Sequence, residues 1–229
     1  TSTGRTDIWV VRRDGTGLRR LTTGLNARGP AWSPDGKTLA AGSDTGIVTF
    51  PAAGKRAVVR VTTNDATHSD FAPVFTMDGT HLLFTRTSLA GGAVTGQTLW
   101  TVAISGAGAR ALLDDTAPSG FLSQPDVSLD GAYVTFLQAH ATGTAIWLAD
   151  ITGHLVRRLA FSSTGYLNTP VFSPDGAWVL FTHSGADGRS PSSMRLVSSD
   201  GTRTKLIART KTGNYYAPSW DRTSGSKVS

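Results

Sequence analysis

One hairpin is written several times along this chain. Pro170–Thr182 reads PVFSPDGAWVLFT: an apolar pair, a Ser-Pro-Asp-Gly turn, and a run from Trp178 to Phe181 leading back. Pro presets φ at the turn, Asp binds it through its own side chain, and Gly takes the left-handed conformation that closes it. β-branched and aromatic runs on either side of such a turn mark a β-hairpin. The same phrase stands at Pro30 (PAWSPDGKTLAAGS), Pro73 (PVFTMDGTHLLFTR) and Pro125 (PDVSLDGAYVTFLQ), with a degenerate copy at Pro218 (PSWDRTSGSKVS).

The copies lie 43, 52, 45 and 48 residues apart. A period of about 40–50 residues, with one hairpin per period, predicts an all-β propeller array. Two more strands follow each hairpin, as in Gly46–Phe50 and Ala57–Thr62, so each blade is a four-stranded antiparallel sheet. Repeats are expected near residues 30–62, 73–113, 125–160 and 170–208, within a single domain of residues 1–229. The longest interval is ascribed to an Ala/Gly/Thr-rich insertion at Thr87–Gly96.

The ends read as halves of one blade. Residues 7–22 supply two strands with no hairpin ahead of them, and 217–229 supply a hairpin with no strands behind it. Pairing them would close a ring and remove the free edges that an open sheet must defend. Five blades are expected on this count, and six if the repeat continues beyond the given sequence. The chain opens inside the repeat, as expected of a mature or trimmed domain.

Composition narrows the function classes. The 229 residues include no cysteine, which excludes disulfides, thiolate catalysis and cysteine-bound zinc. No apolar run approaches the length needed to span a bilayer as a helix. The net charge of +6 invites an anionic partner. The cations recur at one repeat position, however: Arg19-Arg20, Arg60, Arg110, Arg157-Arg158 and Lys205. That placement predicts solvated blade edges, with nucleic acid disfavoured as a partner.

The pattern DIWVVRRDGTGLRRLTTG followed by PAWSPDGKTLAAGS resembles the repeat of TolB-type β-propellers, and the resemblance covers essentially the whole chain. The second unit departs from it with Thr76-Met77 in place of Ser-Pro, the third with Ser128-Leu129, and the last with Asp221-Arg222. The resemblance implies an extracytoplasmic protein, periplasmic or secreted. Similar repeats also build the propeller domains of prolyl-oligopeptidase-like enzymes.

Catalytic signals are missing from the sequence. The repeated Asp-Gly pairs are turn residues, and Trp32, Trp147, Trp178 and Trp220 fall in strands and are expected in the core. The five histidines show no metal spacing, and no nucleophile elbow or phosphate loop occurs. No cofactor and no metal are expected. The repeat leaves unexplained the segment ahead of each hairpin proline, read as a loop on one face of the array around a central channel. Those segments contribute Arg28; His68 and Asp70; Phe121 and Gln124; Tyr166 and Asn168; Tyr215 and Tyr216. Aromatic rings beside hydrogen-bonding groups on a rigid scaffold suit polar ligands or peptides. The competing reading has the rings packing between blades and the polar groups capping strands.

The leading expectation is a non-catalytic, monomeric scaffold that binds a protein, a peptide or a small polar ligand. The alternative is a substrate-binding or gating propeller within a larger secreted hydrolase or lyase. Attachment to an anionic surface through the Arg-bearing edges is a third.

Overall fold

The computed structural model describes residues 6–54, 58–113, 117–185 and 192–220. Two compact units divide the chain, Thr1–Ala111 and Leu112–Ser229. In the first, β1 (Trp9–Val10) and β2 (Arg19–Arg20) form a two-stranded sheet. A blade follows in the order β3 (Arg28–Trp32), β4 (Thr38–Ser43), β5 (Gly46–Pro51), β6 (Val59–Arg60). The next blade is β7 (His68–Phe75), β8 (His81–Ala90), β9 (Ala93–Ala103), β10 (Arg110–Ala111). The second unit holds β11 (Phe121–Val127), β12 (Tyr133–His140), β13 (Gly143–Asp150) and β14 (Leu155–Ser162) in one sheet. Its other sheet is β15 (Gly165–Phe172), β16 (Trp178–Gly185), β17 (Ser193–Ser198) and β18 (Thr204–Arg209). All strand pairs are antiparallel. No helix occurs among the described residues.

The turns explain why the four hairpins form. Ser33 Oγ donates to Asp35 Oδ1 at 2.7 Å, Lys37 N–H donates to the same oxygen at 3.0 Å, and Thr38 N–H donates to Ser33 Oγ at 2.9 Å. Ser173 and Asp175 repeat this arrangement, as do Ser128 and Asp130, and Thr76 and Asp78. Met77 and Leu129 replace the turn proline without consequence, because the network uses only the hydroxyl and the carboxylate.

Middle strands are buried on both faces, so they read as unbroken apolar runs. In β4, Leu39 and Ala41 pack with Ile8, Ala27, Val48 and Phe50, while Ala40 packs the other way with Ile47, Val61, Phe75, Leu82, Phe84 and Val102. In the second unit Leu137, Ile146 and Leu148 meet Leu167, Phe172, Val179 and Phe181. Each fully buried side chain of this size contributes about 1.5–3 kcal/mol. Trp32 departs from the expected core placement and is half exposed.

The terminal strands carry the repeated cations: Arg60 on β6, Arg110 on β10, Arg157 and Arg158 on β14, and Lys205 on β18. This is the solvated-edge placement that the repeat pattern predicted.

Two further expectations are corrected. Four four-stranded blades are present among the described residues, not five or six. The expected fifth joins residues 7–22 to the copy at Pro218, whose Asp221-Arg222 lacks the Asp-Gly that closes the other four turns. Residues 217–220 carry no strand, and residues 221–229 lie outside the described residues, so no ring closure is shown. The Thr87–Gly96 insertion is built as strand. It extends one hairpin, β8 and β9 pairing out to Ala90 opposite Ala93, with Gly91 and Gly92 (φ 56° and 80°) forming the two-residue turn.

The second correction bears on the site. The segments ahead of the first four hairpin prolines are strands rather than loops, whereas residues 214–217, ahead of the fifth, lie outside any strand. Each first strand runs through its proline by means of a bulge, with ladder breaks at Arg28/Ala31, Phe71/Val74, Ser123/Asp126 and Asn168/Val171. The residue before each proline has positive φ: Gly29 56°, Ala72 50°, Gln124 56°, Thr169 48° and Ala217 43°. This one left-handed residue absorbs the extra length, and pairing resumes beyond the proline.

Candidate functional site

Each first strand terminates its sheet, so one of its edges is left outside the ladder. On β15 three backbone donors point off that edge. Leu167 N–H donates to Thr144 Oγ1 at 2.9 Å, Thr169 N–H to Gln124 Oε1 at 2.7 Å, and Phe172 N–H to Asp126 Oδ2 at 2.8 Å. All three acceptors belong to the preceding blade, which thereby satisfies the edge. Thr169 itself is strained, being β-branched at φ 48°, and its buried Oγ1 has no hydrogen-bond partner among the described residues.

On β7 the same edge is finished differently. Asp70 N–H donates to Asn64 Oδ1 at 2.8 Å. Asn64 is fixed in turn by donating to the carbonyls of Ser43 and Asp44 at 3.2 and 3.3 Å. Beyond it opens a cleft of about 480 Å3, lined by Asn26, Arg28, Gly29, Gly42, Ser43, Asp44, Asn64, Ser69, Asp70, Phe71 and Ala72. Gly42 permits the close approach of β7 that builds this wall, since a Cβ there would lie 3.2 Å from Phe71 Cα.

The charges of the cleft fall into two kinds. Asp70 is fully shielded and accepts a two-pronged bond from Arg86, Nε at 2.7 Å and Nη2 at 2.8 Å. The guanidinium stacks on Trp100 at 4.1 Å from the ring centroid. This pair is part of the wall. Arg28 and Asp44 instead stand at the solvent side, 67% and 63% exposed and 3.9 Å apart, with Asp44 also accepting from Asn26 Nδ2 at 2.9 Å. At that separation and exposure the pair is weakly coupled and both side chains are open to a ligand.

Of the residues singled out in the sequence, Arg28 and Asp70 come together on this cleft. His68 does not line it; its Nδ1 lies 3.1 Å from Asp65 Oδ1. In the second unit Gln124 caps Thr169, Tyr166 is exposed beside Asn168 on β15, and Phe121 is exposed at the start of β11. Tyr215 and Tyr216 lie outside any strand; Tyr215 N–H donates to Ser192 Oγ at 2.7 Å, and the Tyr216 hydroxyl accepts from Asn214 Nδ2 at 2.9 Å. Sequence reasoning missed Asp44 and Asn64. Both sit in connections between strands, and only the pairing of β3, β4 and β7 carries them to one place.

His183 lies half-buried on β16. Burial first, then the charge of Arg195, lowers its pKa from 6.5, and its Nε2 stands 3.2 Å from Ser162 Oγ. No carboxylate is paired with it to complete a nucleophilic triad among the described ion pairs. Among the described residues no three His, Asp or Glu side chains converge as metal ligands.

Comparison with known proteins gives the architecture its family context. A sequence profile of the TolB beta propeller domain matches residues 28–224. No curated protein matches the sequence. Among solved structures, TolB from Acinetobacter baumannii superposes with a TM-score of 0.70 at 22% identity, over 93% of this chain and 50% of that one. A TolB candidate from Agrobacterium tumefaciens gives 0.72 at 22% identity, over 95% and 80%. An oligogalacturonate lyase from Vibrio parahaemolyticus gives 0.64 at 15% identity, over 90% and 60%. The chain thus spans half the length of the Acinetobacter protein. At these identities the likeness is one of fold.

Proposed function

The chain belongs to the TolB beta propeller domain family, and on that footing we propose that it is a binding scaffold without catalytic activity of its own. It docks a segment of a partner protein, or a small polar ligand, on the free edge of a first strand. One observation carries this reading: the β7 edge opens on a cleft of about 480 Å3 whose solvent side presents an exposed Arg28 and an exposed Asp44. A rigid sheet edge offering backbone groups, with side chains of both charges beside it, suits an extended peptide. The scaffold works as a monomer outside the cytoplasm, a placement supported by family likeness.

Selection from a displayed random-peptide library against the purified chain tests the proposal. The enriched peptides should lose at least tenfold in affinity on Arg28→Ala, Asp44→Ala double substitution, with thermal unfolding unchanged. Peptides that bind the double variant as well as the native chain would show that the cleft is not the docking site.

A second reading has the chain as the substrate-binding or gating propeller of a larger secreted hydrolase or lyase. The likeness to the Vibrio lyase favours it. It requires the chain to raise the activity of a linked catalytic domain, which a comparison with and without this propeller measures directly.

A further inference from the structure

We propose that the cleft between β3 and β7 is an amide site: it takes the carboxamide of a glutamine or asparagine side chain, with the amide oxygen on Ala72 N–H and the amide nitrogen toward Asp44. The inference rests on the reading of this cleft as the binding face and names the group it recognises.

The argument begins with the repeat. β7 and β15 share one register: Asp70 pairs with Arg86 as Leu167 pairs with His183, and both ladders break at the residue before the proline. Thr169 therefore corresponds to Ala72, and both have positive φ, 48° and 50°. Thr169 N–H leaves the ladder and is accepted by the carboxamide oxygen of Gln124, the residue before the proline of the preceding blade. Asp70 N–H leaves β7 on the same side as Leu167 N–H leaves β15. The shared register thus directs Ala72 N–H off the same edge.

The residue corresponding to Gln124 in the blade before β7 is Gly29. It has no side chain to supply the oxygen, and it lines the cleft together with Ala72. A Cβ built on Gly29 meets no atom within 4 Å. The cleft is therefore the space that the Gln124 side chain occupies in the other unit, left for a group from outside.

The charges select what enters. The ionisable side chains lining the cleft are Arg28, Asp44 and Asp70. Asp70 is neutralised by Arg86, and the remaining two have opposite signs. An anion would gain Arg28 and meet Asp44; a cation would face the reverse. A primary amide carries an acceptor for the backbone N–H and donors for the carboxylate, and brings no charge to desolvate.

Gly29→Gln builds the ligand into the chain. Gln124 and Gly29 have the same φ, 56°, so the fold already accepts glutamine in this conformation. Propionamide and propionate are titrated into the labelled chain while the Ala72 amide resonance is followed, in the millimolar range expected of ligands this small. Propionamide should give a saturable Ala72 shift in the native chain and in Gly29→Ala, and at least a tenfold weaker response in Gly29→Gln. The Gln variant should itself move the Ala72 resonance in the same direction. Tighter binding of propionate than of propionamide, no saturable shift with either, or an equal response in the Gln variant overturns the proposal. If library-selected peptides need Arg28 and Asp44 but bind Gly29→Gln undiminished, the amide inference fails while the scaffold reading stands.

Discussion

Replacing Asp70 should separate a structural carboxylate from a binding one. The Asp70 side chain is 0% exposed and accepts two charge-assisted bonds from Arg86, at 2.7 and 2.8 Å. Bonds of this kind contribute about 1.5–3 kcal/mol each, and removing one partner of a buried pair costs about 3–5 kcal/mol because the other charge is left uncompensated. Arg86 keeps some contact with solvent, 16%, and its stacking on Trp100, which places Asp70→Ala near the lower end, about 3 kcal/mol. Asp44 shares the cleft, but its pair with Arg28 is long and exposed. Asp44→Ala should therefore cost about 0–1 kcal/mol. Urea unfolding followed by tryptophan fluorescence measures both. A joint Asp70→Leu, Arg86→Met variant should recover most of the loss, since no buried charge remains. The reasoning fails if the Asp70 and Asp44 variants lie within about 1 kcal/mol of each other, or if the joint variant is less stable than Asp70→Ala.

Three further outcomes follow from local geometry. The Thr76 hydroxyl, then the Thr80 N–H and hydroxyl, lower the Asp78 pKa from 3.8 to about 2. A lowered folded pKa stabilises the fold above the unfolded value and is lost as pH falls through the folded one. The stability gap between native chain and Asp78→Asn should thus hold from neutral pH to about pH 4 and close toward about pH 2 in a denaturation series. Thr169→Gly should stabilise by about 1 kcal/mol, as relief of about 1–3 kcal/mol of left-handed strain outweighs the flexibility gained by the unfolded chain; a lower urea midpoint would show that Thr169 is not strained. His183 has a lowered pKa, so its neutral form stabilises the fold above the unfolded value near 6.5 and that contribution is lost as pH falls. His183→Gln should flatten the pH dependence of stability just below neutrality, and an unchanged slope would refute this.

How far the sequence could be read depended on how local the determining physics was. Ser33-Pro34-Asp35-Gly36 closes its turn with its own atoms, so the four hairpins and the strands behind them were legible from spacing alone. The first strands were not legible in full, because proline disfavours a strand interior. They continue only because the residue ahead of it turns left-handed, and at Thr169 that state is supported by a carboxamide 45 residues away. Asp70 read as a ligand group because a lone Asp beside aromatic residues carries no sign of its partner. Only the register of β7 with β8 sets it against Arg86. The blade count failed for a related reason: a copy of the phrase without its turn chemistry was given the weight of the others.

The same contrast explains how a repeat can hold a site without carrying a motif for it. Every first strand must dispose of the donors on its outer edge, since a shielded N–H without an acceptor costs about 1–3 kcal/mol. The blade preceding β15 supplies Thr144, Gln124 and Asp126, and the edge is closed. The blade preceding β7 has Gly29 and Ala31 at the places of Gln124 and Asp126. Of these, Gly29 lines the cleft while Ala31 packs into the core with Phe75, so the proposed site rests on one missing side chain in an otherwise matched register. On the proposed reading, the informative residue is the one that lacks the cap, here a glycine that no search for catalytic or ligand-binding side chains would single out.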